Sequence, residues 1–248
     1  MTMIRNSTPV NELLAALSAQ GRKTLLDSCE TVELGFAEVL CEQGDLIRHA
    51  YFPVDSFISL ITTLDSGEKL GVGIVGAEGM FGASLILGVN VASHHALVQG
   101  AGTALRMPAS AFSRHLNNNP VFSEKLHRYI YVLMRQLALT AACSHYHDVA
   151  ARLARWLLLT RDRAHSNQFH LTHEFLAYML GVRRVGITEA ATTLQRRGLI
   201  EYRRGQIAIL DGLGLERASC SCYRQANNLY AKTMKIKSNK SKRRTAQG

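Results

Sequence analysis

The sequence predicts an α+β chain: an N-terminal double-stranded β-helix (jelly-roll) effector domain, a long dimerisation helix and a C-terminal winged helix-turn-helix. Three observations carry this reading. Short strand-like runs separated by turn residues fill residues 32–107. An apolar repeat at helical spacing then runs from Phe122 to Ala142. Last come 42 residues, His170 to Asp211, that read as two short helices joined at a glycine and followed by a basic hairpin. The expected units are 12–119 for the barrel, 120–144 for the dimerisation helix, 148–215 for the winged head and 232–248 for a basic, disordered tail.

The barrel is read from its turns. Cys29 to Leu34 leads into Gly35-Phe36, and Val39-Leu40 precedes Glu42-Gln43-Gly44-Asp45. Ala50-Tyr51-Phe52 stops at Pro53, and Phe57 to Leu64 is a strand closed by the hairpin turn Asp65-Ser66-Gly67-Glu68. Leu70 to Val75, His95 to Val98 and Thr103 to Met107 complete the series. The polar start, Met1 to Pro9, is expected to fray.

A helical stretch begins at Ala109 and is interrupted by Asn117-Asn118-Asn119-Pro120, because proline suits the first turn of a new helix. In the helix that follows, Leu126, Ile130, Leu133, Leu137 and Ala141 recur at spacings of 4, 3, 4 and 4, which is a coiled-coil stripe. A homodimer is expected on that stripe, since two-fold symmetry places two reading helices one DNA turn apart. Ser144 to Asp148 is the expected hinge, and Val149 to Arg161 opens the second domain.

In the head, Thr172 can cap a helix carrying Phe175, Leu176, Met179 and Leu180, which Gly181 ends. A second helix runs from about Arg183 to Arg197, with Ile187, Ala190, Ala191 and Leu194 on its apolar face and Arg184, Thr188, Thr192 and Gln195 opposite. Such a helix fits a major groove about 12 Å wide. Leu199 to Tyr202 and Gln206 to Leu210 form a wing whose Arg203-Arg204-Gly205 tip can lie on phosphates. The residues expected at DNA are Thr172, Arg183, Arg184, Val185, Thr188, Glu189, Thr192, Arg203 and Arg204.

Charge supports this placement. Residues 1–150 hold 10 Lys and Arg against 13 Asp and Glu, whereas residues 151–248 hold 19 against 6. Positive charge gathered on the reading half is the footprint a polyanion requires. Seven of these basic residues lie from Lys232 onward, with no acid among them, and could add nonspecific phosphate contacts.

The remaining chemistry is sparse. There is no secretory signal, membrane span, glycine-rich phosphate loop, metal triad or serine elbow, so an enzyme and a membrane partner are not expected. Five cysteines at irregular spacing argue against a disulfide framework and point to the cytoplasm. Cys29, Cys41 and Cys143 are dispersed, and Cys220 and Cys222 lie beyond the head, so an iron-sulfur cluster is not expected. Cys220-Ser221-Cys222 and the hinge pair His145 and His147 are weak metal or redox candidates, read more simply as ordinary residues. No metal and no cofactor are expected, although haem ligation by one of the ten histidines stays open.

Several segments together carry a family resemblance: GFAEVLCEQGD at 35–45, YFPVDSFISL at 51–60, GAEGMFGASLILG at 76–88, LTHEFLAYMLGVRR, and AATTLQRRGLIEYRRGQIAILD. Over about Leu13 to Leu215 the chain resembles the Crp/Fnr family of bacterial transcription regulators. The resemblance implies a homodimer on a near-palindromic promoter site, with RNA polymerase a further candidate partner. It also implies a barrel shaped like a cyclic-nucleotide-binding fold. The family's nucleotide binders hold the ribose with a glutamate after a glycine and the phosphate with an arginine. Here Gly82 is followed by Ala83, and Ala92-Ser93-His94-His95 stands where the arginine is expected. No arginine occurs between Arg48 and Arg106. A buried phosphate without a paired cation is costly, and an imidazole of pKa about 6.5 is poor compensation. Gly82, Ala83, Ser93 and His94 are therefore read as a degenerate effector pocket that does not take cAMP, its effector unknown.

The reading helix departs from the family as well. Val185 stands at the base-reading acid and Glu189 at the downstream arginine, while Arg184 and Thr188 match contact positions. The alternatives are a redox-, metal- or haem-responsive regulator, or a barrel-scaffold protein whose head contacts protein rather than DNA.

Overall fold

The computed structural model describes residues 11–235. The expectations for Met1 to Pro9 and for the basic run beyond Lys235 lie outside the described residues. Two short helices that the sequence reading missed come first, α1 (Glu12–Ala15) and α2 (Ala19–Leu26). They are anchored by Asn11, which is fully buried. Its Oδ1 accepts from Leu13 N–H, and its Nδ2 donates to the carbonyls of Pro53 and Gly79.

The barrel follows as β1 (Glu30–Leu34), β2 (Val39–Cys41), β3 (His49–Pro53), β4 (Phe57–Thr63), β5 (Lys69–Val75), β6 (His95–Gly100) and β7 (Gly102–Pro108). They pair antiparallel in two sheets, β1-β7-β3 and β2-β6-β4-β5. The turn-punctuated runs thus appear as the expected jelly-roll-like domain. Its core holds Phe52, Met80 and Met107, closed by Phe112 and Phe122 from the helices that follow.

Those helices are α3 (Ala109–Asn118) and α4 (Pro120–Tyr146). Asn119 caps α4 by accepting from Phe122 N–H at 3.0 Å, and Pro120 occupies its first turn. The helix runs 27 residues, further than the apolar repeat suggested. Ser144, His145 and Tyr146 therefore belong to α4, and the hinge narrows to His147-Asp148. Residues without apolar side chains continue a helix as well as apolar ones do, so periodicity alone underestimated its length.

Asp148 accepts from Ala151 N–H at 2.8 Å and starts α5 (Val149–Ala164). The head continues with β8 (Gln168–His170), α6 (His173–Leu180), α7 (Arg184–Arg196), β9 (Ile200–Arg203) and β10 (Gln206–Ile209). The expected hairpin is present as β9 and β10, and β8 joins it as a third strand in the order β8-β10-β9. β8 has only three residues, too few to show an alternation. Then α8 (Gly212–Ala218) leads to α9 (Cys222–Lys235), which lies back along α4. The Tyr230 hydroxyl donates to the Glu78 carbonyl at 2.7 Å, fastening α9 to the barrel.

The head's core contains barrel residues. Ile61 is buried in the same cluster as Leu157, Leu176, Leu180, Ile187 and Leu194, with Ile74 and Leu97 packed against it. Gly71 in β5 permits the approach: a Cβ there would run into the Met179 side chain and stand 2.9 Å from its carbonyl oxygen. Arg163 pairs with Glu78 at 2.6 Å across the same seam. Among the described residues no helix is long and apolar enough to cross a membrane.

Candidate nucleic-acid interface

The head's reading surface is set by its local chemistry. Thr172 Oγ1 accepts from Phe175 N–H at 3.1 Å and so starts α6 as expected of an N-cap. Gly181 ends it at φ +61°, a conformation that costs glycine little. Val182 and Arg183 then carry the chain into α7. That helix buries Ile187, Ala190, Ala191 and Leu194. Arg183, Arg184, Val185, Thr188 and Glu189 remain exposed on the other side, and Thr192 is half-buried. Val185 keeps 60 % of its surface exposed, which is unusual for a valine with an apolar core nearby. Arg203 and Arg204 are exposed at the β9–β10 turn, where Arg204 and Gly205 both take positive φ, as a two-residue hairpin turn requires. All nine residues expected at DNA thus lie in the α6, α7 and wing segments, eight of them exposed.

The threonines are partly engaged. Thr188 Oγ1 donates to the Arg184 carbonyl at 3.2 Å, and Thr192 Oγ1 to the Thr188 carbonyl at 2.8 Å. Each oxygen can still accept. Sequence reasoning missed His173, which joins the three parts. Its ring stacks on Tyr202 of the wing at 4.3 Å and 18°, and its Nδ1 meets Thr188 Oγ1 at 3.0 Å. With the threonine proton on Arg184, the histidine is assigned as donor. Burial, and then the charge of Arg184, hold its pKa below the ordinary imidazole value. No spacing signal marks such a residue; only the fold brings β9 over the start of α6.

In the barrel, Gly82, Ala83, Ser93 and His94 line one cavity of about 280 Å³ between the sheets and α4. Its other walls include Leu60, Val72, Met80, Phe81, Ile130 and Leu133. Among the described residues no Lys, Arg, Asp or Glu lines it. His94 Nδ1 and Ser84 Oγ are buried there without hydrogen-bond partners among the described residues, and burial lowers the His94 pKa.

The residues of the α4 stripe divide. Leu126 is fully buried in the barrel core, so it cannot face a partner chain, and this is a correction to the stripe. Ile130 and Leu133 pack half-buried against the same core. Leu137 and Ala141 are exposed, and Tyr131 and Met134 present apolar surface beside them. The apolar repeat marked two faces of one helix, and heptad spacing does not distinguish them.

The dispersal of the cysteines also needs correcting. Cys143, His147, Cys220 and Cys222 converge, with one ligand atom from each lying within 4.8 Å of the others. Cys143 Sγ and Cys220 Sγ lie within hydrogen-bond reach at 3.5 Å, and this contact holds the Cys143 pKa down and that of Cys220 up. His145 is not part of this group; it sits edge-on to Tyr146, which is exposed.

Comparison with known proteins agrees with this architecture. Residues 32–119 match the model of the cyclic nucleotide-binding domain, and residues 151–218 that of the Crp-like helix-turn-helix domain. The chain is 23% identical over 183 residues to a global nitrogen regulator of Nostoc sp., covering 70% of this chain and 82% of that protein. Among solved structures it resembles FixK2 of Bradyrhizobium japonicum, with a TM-score of 0.66, 14% identity and coverage of 77% and 98%. It also resembles a transcriptional regulator of the CRP family from Thermus thermophilus, with a TM-score of 0.62, 19% identity and coverage of 76% and 96%. At such identities the two structures speak for the fold alone.

Proposed function

The chain belongs to the Crp/Fnr family, whose members are regulators rather than enzymes, and from that premise we propose that it binds DNA sequence-specifically as a homodimer, on a near-palindromic promoter site, without responding to cAMP. The observation that carries the reading is the division of α7. One face is locked into the head's core, while Arg183, Arg184, Val185, Thr188 and Glu189 are exposed on the other. The Arg203-Arg204 tip supplies phosphate contacts beside it. The units 12–119, 120–144 and 148–215 are the proposed working parts, with the middle one extended to Tyr146. RNA polymerase is the further partner a transcriptional output calls for, and the cytoplasm is the proposed compartment.

The proposed dimer face is the exposed side of α4, with Tyr131, Met134, Leu137 and Ala141, and not Leu126. Two-fold pairing there would place two copies of α7 on half-sites one helical turn apart. The cavity supports the absence of a cAMP response. A phosphate would be buried among apolar walls with only a neutral His94 nearby, and Ala83 offers nothing to a ribose. A neutral occupant fits its lining better.

Selection of duplexes from a randomised pool by the full chain tests the proposal. Enrichment of a two-fold symmetric motif is expected, with half-sites about 10 base pairs apart. Recovery of unrelated duplexes at the same affinity would refute sequence-specific reading. Recovery of a single half-site would refute the homodimer.

A further inference from the structure

We propose that Cys143, His147, Cys220 and Cys222 form a tetrahedral site for a zinc-like divalent cation, tying the end of α4 to the segment that leaves the head. The proposal stands on the geometry of these four side chains and not on the DNA-binding reading. Each pair is local in sequence. Cys143 and His147 are four apart across the last turn of α4, and so share one face. Cys220 and Cys222 flank a single residue where α8 gives way to α9. The two pairs meet because α9 runs back along α4.

The distances suit a metal. Zinc bonds of about 2.3 Å to sulfur and about 2.0–2.1 Å to nitrogen set tetrahedral donor-to-donor edges of roughly 3.5–3.8 Å. Cys143 Sγ and Cys220 Sγ are 3.5 Å apart, and Cys222 Sγ and His147 Nδ1 are 3.7 Å apart. Two edges that share no atom thus already lie within about 0.3 Å of the lengths that zinc requires. The sulfurs are too far apart for a disulfide, whose S–S length is about 2.05 Å. The compact set of donors, one of them an imidazole, suits one ion better than an iron-sulfur cluster.

The surroundings fit the charge. Three thiolates around a divalent cation leave one net negative charge. Arg152 and Arg155 line a small cavity together with Cys143. Arg152 is buried and donates from Nη2 to the Leu180 carbonyl, and Arg155 Nε is buried without a partner among the described residues. A buried anionic centre needs such cations close by. Cysteines that merely filled a gap between helices would have no need of an inward-turned imidazole, yet His147 Nδ1 faces Cys222 while His145 lies exposed.

The site would close residues 143–222 into a loop containing the whole winged head, with the His147-Asp148 hinge at its base. Metal binding would then restrict how the head turns on α4.

The test uses the full chain, purified under reducing conditions and loaded with Zn²⁺ or Co²⁺ alone. One ion per chain is expected by elemental mass spectrometry. The Co²⁺ form should show thiolate-to-metal charge transfer and the strong visible absorption of a tetrahedral site. Cys220→Ser and Cys222→Ser should each weaken zinc binding by well over roughly tenfold, while Cys29→Ser should leave it unchanged. Alkylation of the unmutated chain gives a measurement that no variant can confound: Cys143, Cys220 and Cys222 should be shielded by zinc and released by a chelator. An octahedral Co²⁺ spectrum, no bound ion, or full binding by both serine variants would overturn the proposal. Iron with acid-labile sulfide, or a Cys143–Cys220 disulfide in place of metal, would do the same.

Discussion

Replacing Arg184 by alanine separates base reading from phosphate contact. Arg184 is the first residue of α7 and is exposed, and among the described residues its guanidinium makes no hydrogen bond or ion pair. The Thr188 hydroxyl bonds to its backbone carbonyl, which alanine retains. Alanine also favours the helix, so the fold should be unaffected and the melting temperature unchanged. If the guanidinium grips a guanine through two hydrogen bonds, the loss is about 1–3 kcal/mol per half-site, or roughly 5- to 150-fold, and about twice that free energy for a dimer. On a scrambled duplex a lost phosphate contact would weaken binding uniformly and lower the salt slope by about one per site. Fluorescence anisotropy on the selected duplex and a scrambled one, across a salt series, measures both. Equal losses on the two duplexes would refute base reading by Arg184. The substitution has a second, independent signature. Arg184 is one of the two causes that hold the His173 pKa down, so that pKa should rise toward its ordinary value in the variant. Histidine NMR titration reads this without any DNA.

Other perturbations reach different parts of the structure. Met134→Glu should weaken the homodimer at sedimentation equilibrium without unfolding the chain, whereas Leu126→Ala should instead cost about 2–5 kcal/mol of barrel stability; dimer loss from Leu126→Ala with stability intact would return that residue to the interface. Gly71→Val drives a side chain into Met179 and should loosen the head, seen as faster hydrogen exchange in α6 and cleavage near His147. His94, His173 and His49 all titrate below the ordinary imidazole value in the fold, first because of burial. Below about pH 6.5 the unfolded chain therefore binds more protons, so stability should fall on acidification and level off above neutrality; a melting temperature that rises from pH 7 to pH 5.5 would contradict this. Calorimetric titration with cAMP should give no binding heat, and micromolar affinity would show that the cavity finds a phosphate partner which its lining lacks.

Features written in consecutive residues could be read directly. The seven barrel strands carry their turns beside them, and the reading head carries its cap, its glycine and its apolar face within one short stretch. Features made by return of the chain could not. α1 and α2 are fixed by Asn11 reaching two distant carbonyls, which no local pattern announces. β8 exists only because β10 offers it an edge. His173 gains its role from Tyr202, 29 positions later. The cysteine group was missed for the same reason: its two halves are individually unremarkable and meet only when α9 folds back. The Leu126 error was of another kind. A 27-residue helix packed on its own barrel buries one side in the domain and leaves another exposed, and a single apolar stripe merges the two.

That sharing of α4 gives the proposed sites a common mechanical element. Ile130, Leu133, Met134 and Leu137 wall the barrel cavity, Met134 and Leu137 also reach the exposed side of the helix, and Cys143 and His147 stand at the helix's end. Met134 belongs to the cavity wall and to the proposed dimer face, so a turn of α4 that repacks the cavity also moves that face. Leu137 to Cys143 is six residues, about 9 Å of continuous helix. A displacement at the cavity wall would therefore reach the cysteine site as a rigid rotation, without a relay of side chains. With the metal in place the rotation would pass into the α8–α9 link, and hence to the head from both ends of its chain. Without it, the head would follow α4 through His147-Asp148 alone. An effector would have to bind the two orientations unequally to drive this, since equal affinity shifts nothing. The cysteine site would then set how much of any such difference reaches α7.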